Sequence, residues 1–159
     1  MSRDRKVLIF GGIALALIGM AYGLYYAVSV EHQTLDQMGG SLAGAFVSAA
    51  ERKGPESKTL LASYGEAKYR YVRQVDVHSH WIGLGMLMIV LGVVFEELRF
   101  AERRRVLLAW SLLAGSAIFP AGVMLQTVNL QTMGSALAIA GSGLVIGALV
   151  ATAAGFARA

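Results

Sequence analysis

Residues 75–86 read VDVHSHWIGLGM and carry the chain from charged into apolar sequence, with two of its three histidines separated by a single residue. How this stretch is read decides the fold. The charge-free run behind it, Trp81 to Phe95, is 15 residues long, whereas a membrane-spanning helix needs roughly 20 apolar residues. The run reaches that length only if its helix starts near Val77 and takes in both His78 and His80.

Three other stretches are long enough without help: Val7 to Val30, Val106 to Val128, and Met133 to Phe156. With 56% hydrophobic and 15% charged residues, the chain is too apolar for a soluble surface. The expected architecture is an all-α integral membrane four-helix bundle with spans at about 7–30, 77–97, 106–128 and 133–156. The basic start and apolar run of the first span also fit a signal peptide, but the run is long for one and no clean small-residue cleavage pattern follows, so an uncleaved anchor is expected.

Positive residues are retained on the cytoplasmic side of a membrane. Arg3, Arg5 and Lys6 precede the first span, Arg99, Arg103, Arg104 and Arg105 separate the second from the third, and Arg158 follows the fourth. Both termini are therefore expected in the cytoplasm, and the bacterial cytoplasmic membrane is the expected location. The short NLQT turn at 129–132 and the long segment 31–76 then lie outside. Because the basic residues gather at membrane boundaries, the net charge of +4 speaks for bilayer topology and against a nucleic-acid partner.

The outer segment carries two stripes at helical spacing: Leu35, Met38, Leu42, Phe46 and Ala49, then Leu60, Leu61, Tyr64, Lys68, Tyr71 and Val75. Between them KGPES offers Gly54 to end one helix and Pro55 to start the next. The first two spans are thus expected to continue outward and meet in an extracytoplasmic helical hairpin. Two helices lying flat on the membrane are the alternative, with Gly39 and Gly40 as a bend. With the turn at about residue 54, His32 and His78 fall at nearly one height and His80 about 3 Å deeper. Residues two apart on a helix are 200° apart, so His78 and His80 face opposite ways. His78 is the expected partner of His32, and His80 looks toward Met124, Gln126, Thr127, Gln131 and Met133.

The run HSHWIGLGM resembles the His-x-His helix of the catalytic subunit of heme-copper oxidases, in which the pair ligates two different hemes. It is also similar to small uncharacterised bacterial His-x-His membrane proteins. The resemblance implies that His78 and His80 are axial ligands; at 159 residues with three histidines, a full oxidase is excluded. The resulting expectation is a membrane redox protein binding b-type heme, or copper, through His32, His78 and His80. Such a protein would transfer electrons or carry out small-molecule redox chemistry. With no cysteine in the chain, any metal would rest on histidine, methionine, carboxylate or backbone.

Other readings of the same residues stay open. The histidines also suit an interfacial role beside Trp81, or proton transfer and a pH response. A different class of function is a non-catalytic accessory subunit packing against a larger membrane enzyme or respiratory complex, with homo-oligomers as a further form of partnership. Spans nearly free of ionisable residues disfavour a transporter. Gly19/Gly23 and Gly143/Gly147 offer flat surfaces for helix approach, Pro120 should kink the third span, and Glu96, Glu97 and Glu102 are expected as solvated charge partners. No hydrolase triad, phosphate loop or zinc-protease motif occurs.

Overall fold

The computed structural model describes residues 1–128 and 130–157. Asn129, in the expected outer turn, and Arg158, counted toward the basic flank, lie outside the described residues. The described chain is all helical: α1 (Arg3–Ser29), α2 (Glu31–Ala50), α3 (Gly54–Val94), a 3-10 turn (Phe95–Glu97), α4 (Glu102–Leu125) and α5 (Gln131–Phe156). Four of these helices are long and apolar enough to cross a membrane, and the chain is an integral membrane protein.

The stretch around His78 is resolved by α3. It is one helix of 41 residues, about 60 Å at 1.5 Å per residue, twice the roughly 30 Å of hydrocarbon. Its second half packs antiparallel on α1 and its first half packs antiparallel on α2. Through the unbroken α3 the hairpin therefore stands out from one end of the bundle, and the flat interfacial arrangement is not adopted. The outward path of the first span is not continuous, however. It breaks at Val30 (φ −129°, ψ −38°), and Gly39 and Gly40 lie inside α2 without interrupting it.

The hairpin turns earlier than KGPES suggests. Arg52, with φ 62°, takes the left-handed conformation; its N–H donates to Ala49 O at 3.0 Å and the Lys53 N–H to Ser48 O at 2.8 Å. These two bonds form a Schellman cap. Gly54, expected to end α2, is instead the first residue of α3, with Pro55 in the first turn.

The α2–α3 interface also differs from the expected stripe. Ser41, Ala45 and Ser48 are the buried residues of α2. Ser57 donates to Ala45 O at 2.9 Å, Ser41 to Ser63 at 3.3 Å, and Leu60 lies against Gly44. Leu35 and Phe46, expected inside, are exposed, Phe46 at 69%. Lys68 is exposed too, its amine 6.0 Å from the centre of the Tyr64 ring.

In lipid the hydrophobic effect does not draw helices together, so their association rests on close packing. Small residues supply it. A Cβ on Gly12 would sit 2.5 Å from the carbonyl oxygen of Gly85, and one on Gly122 would sit 2.4 Å from the amide nitrogen of Ala138. The first contact joins α1 to α3 and the second joins α4 to α5. Gly19 and Gly23 pack within the bundle against Trp81 and His78, whereas Gly143 and Gly147 face open space. α4 packs on both α1 and α3, while α5 rests mainly on α4. α4 runs unbroken through the buried Pro120.

The end of the bundle away from the hairpin is closed by charge. Asp4, fully buried, lies 3.0 Å from Arg105, and Arg5 lies 3.6 Å from Glu96. The Ser2 amide donates to Glu96 at 3.3 Å.

Candidate functional site

A layer of hydrogen-bonded, uncharged polar side chains crosses the bundle at the end nearest the hairpin. Gln74 of α3 is its centre: its amide oxygen accepts from Tyr22 of α1, and its amide nitrogen donates to Thr127, in the turn that follows α4, at 2.9 Å. The Thr127 hydroxyl in turn donates a hydrogen bond to Met124 O of α4 at 2.7 Å. One chain of hydrogen bonds thereby ties three helices at one height. Where little water competes, such side-chain bonds hold helices in register.

Trp81 lies seven residues, about two turns, deeper along α3 than Gln74. Its ring meets Tyr22 edge-on, centroids 5.9 Å apart at 84°, and its indole N–H donates to Ala117 O at 3.4 Å. Just above the layer, the buried Tyr26 tilts against Tyr71 at 6.4 Å, and the Tyr71 hydroxyl donates to Glu31 at 3.1 Å. That bond to the Glu31 carboxylate, with the carboxylate's charge, raises the Tyr71 phenol above its ordinary range.

The three histidines lie around this layer in three separate settings. His78 faces α1, where Gly23 makes room for its ring; a Cβ there would sit 3.2 Å from His78 Cδ2. His80 faces α4, its ring edge-on to Phe119 at 4.7 Å. His32 is 89% exposed on α2 and 3.4 Å from Asp36. The expected common height of His32 and His78 is thus corrected. His78 stands opposite Gly23, whereas His32 follows Glu31, which pairs with Tyr71, so His32 lies about 10 Å farther out. The cause is the earlier turn at Arg52, which shifts the register of the whole hairpin.

His78 and His80 share one feature that bears on ligation. The Nδ1 of His78 lies 3.1 Å from Gln74 O, and that of His80 lies 2.6 Å from Asp76 O. A carbonyl oxygen only accepts, so Nδ1 carries the proton in each ring, and the neutral imidazole keeps a lone pair on Nε2. The donor chemistry fits a heme or copper ligand. The spacing does not supply a set: among the described residues no three His, Asp or Glu side chains gather where they could hold a metal ion.

Sequence reasoning placed Trp81 and Thr127 near this layer but missed Gln74, which bonds Thr127 and Tyr22, and the buried Asp4. The signal for Asp4 was a single acid within the basic MSRDRK start. Compared with family models, curated proteins and solved structures, the chain has no match.

Proposed function

We propose that the protein is a non-catalytic membrane subunit that packs against a larger membrane enzyme or respiratory assembly through the outward face of α2. One observation carries this reading. From Met38 to Ala50, α2 turns its hydroxyls, Ser41 and Ser48, toward α3 and leaves Phe46 (69%) and Val47 (57%) exposed. No charged residue occurs in this stretch. A helix surrounded by water has the reverse polarity, and an apolar face beyond the bilayer suits a protein partner. The glycines and alanines on that face would let a partner helix approach closely. In this reading the chain sits in a bacterial cytoplasmic membrane, its arginine-rich end and both termini inside.

A photo-crosslinking residue placed at Phe46 in the native membrane tests the proposal. The expected result is one discrete adduct with a membrane protein larger than this chain, lost in the Val47→Asp background together with co-purification. A chain that migrates alone with no adduct would overturn it; an adduct of twice the chain's own mass would replace the larger partner with a second copy.

A second reading, b-type heme or copper redox chemistry, is favoured by the Nε2 lone pairs of His78 and His80 and the room Gly23 leaves beside the His78 ring. A bound heme would supply reversible one-electron transfer. His78 or His80 would each offer it one ligating nitrogen, while His32 stands apart. The test is the absorbance of protein purified from heme-replete cells: a Soret band that His78→Ala removes would favour this reading over the first, and a flat spectrum without bound metal would sink it.

A further inference from the structure

We propose that the arginine-rich end of α4 carries a binding site for the headgroup of one anionic phospholipid. This surface is independent of the α2 face. A groove of about 730 Å³ runs along α4, lined by Arg103, Arg104, Val106, Leu107 and Trp110. The three consecutive arginines of this helix divide their work. Arg105 turns inward to the buried Asp4, whereas Arg103 and Arg104 are exposed and have no ion-pair partner among the described residues. The nearest acid along the chain, Glu102, lines an adjoining hollow with Arg3 and Arg103, which leaves the local balance positive.

Below the guanidinium groups the lining turns apolar. Arg103, Leu107 and Trp110 follow one another at i, i+4 and i+7, on one face of the helix. Leu107 is 66% and Trp110 53% exposed. Trp110 lies about 10 Å along the axis from Arg103. That sequence of surfaces matches a phospholipid from headgroup to chain: phosphate on the guanidinium pair, which binds it with charge-assisted hydrogen bonds, then the glycerol and upper acyl chain over Leu107, then the deeper acyl chain against the Trp110 ring. A free phosphate ion would use the arginines and leave the apolar wall unused, so the lipid is the occupant.

Native mass spectrometry of the full-length protein in mild detergent, with equimolar phosphatidylglycerol and phosphatidylcholine, tests this. Phosphatidylglycerol should be retained preferentially, and inorganic phosphate at the same concentration should not displace it. The double variant Arg103→Gln/Arg104→Gln should weaken retention about tenfold, and Trp110→Ala should weaken it less. Arg99→Gln, which removes a charge at the same end of the bundle but outside the groove, should leave retention unchanged. Equal retention of the two lipids, displacement by phosphate, unchanged retention in the double variant, or an equal loss in Arg99→Gln would each overturn the proposal, the last by reducing it to diffuse attraction.

Discussion

Asp4 and Arg105 form an ion pair of 3.0 Å in which Asp4 is fully out of solvent and the Arg105 side chain is 18% exposed. The pair fastens the start of α1 to the start of α4, and Arg105 also donates to the Glu96 carbonyl at 3.3 Å. Three segments, α1, the 3-10 turn and α4, thus meet at this end. Breaking such a pair costs more than replacing it whole, because a lone buried charge remains. Arg105→Leu should destabilise the protein by about 3 kcal/mol, and Asp4→Leu/Arg105→Leu together by less than the sum of the single changes. Unfolding in detergent across this double-mutant cycle is the check; strict additivity would mean that the pair is not coupled.

Arg52 holds φ at 62° in the hairpin turn, a conformation that costs a residue with a Cβ on the order of 1 kcal/mol. Its side chain is exposed. Arg52→Gly should therefore stabilise the hairpin, by about 0.5 kcal/mol after the extra freedom glycine gives the unfolded chain. A slower proteolytic cut at the turn and a raised melting temperature are the expected readouts, and a lowered melting temperature would show that the arginine side chain contributes more than its backbone costs.

The four spans were legible because length and apolarity suffice for them, and the hairpin because two helical patterns flank a Gly-Pro break. Its faces and register were not. A stripe reading assigns large apolar residues to the interior, but α2 meets α3 through Ser41, Ala45 and Ser48, where small side chains allow close approach and leave Phe46 outside. The register depended on which residue turned left-handed. Gly54 was the natural candidate, and the choice of Arg52 moved His32 away from His78. Hydrogen bonding across helices, as at Gln74, leaves no periodic trace in a sequence.

Gln74 holds Tyr22 and Thr127 at once, so Gln74→Leu should loosen α1 and α4 together. The expected loss is about 1–3 kcal/mol, since two polar partners lose their bond in a poorly hydrated layer. Tyr22→Phe or Thr127→Val alone should cost less. Hydrogen exchange gives the decisive readout: faster exchange in the outer turns of both α1 and α4 is expected in Gln74→Leu, and faster exchange confined to α3 would count against a three-helix junction.

Tyr71 offers a test by titration. The Glu31 carboxylate accepts the hydrogen bond that its hydroxyl donates and raises its pKa above the ordinary value of about 10. The neutral phenol is favoured in the folded state, so the contribution to stability is fully present below that ordinary value and is lost as pH rises through the folded one. In an ultraviolet phenolate titration compared with a Tyr71→Phe control, the Tyr71 signal should appear at higher pH than in a model peptide. Glu31→Gln should move it back toward the ordinary value; an unmoved signal would separate the shift from Glu31.

Two glycines differ sharply in what an added methyl would meet. On Gly12 it would lie 2.5 Å from the backbone oxygen of Gly85, so α1 and α3 would have to separate; on Gly143 nothing lies within 4 Å. Because lipid supplies little hydrophobic force between helices, packing lost at Gly12 is not offset by burial elsewhere. Gly12→Ala should cost about 1–3 kcal/mol, the range for overpacking a tight interface, while Gly143→Ala should be neutral or stabilise by up to about 1 kcal/mol through helix propensity. Melting temperatures of the two purified variants decide the matter. A Gly143→Ala loss as large as that of Gly12→Ala would mean that a partner covers the open face of α5 in the folded assembly.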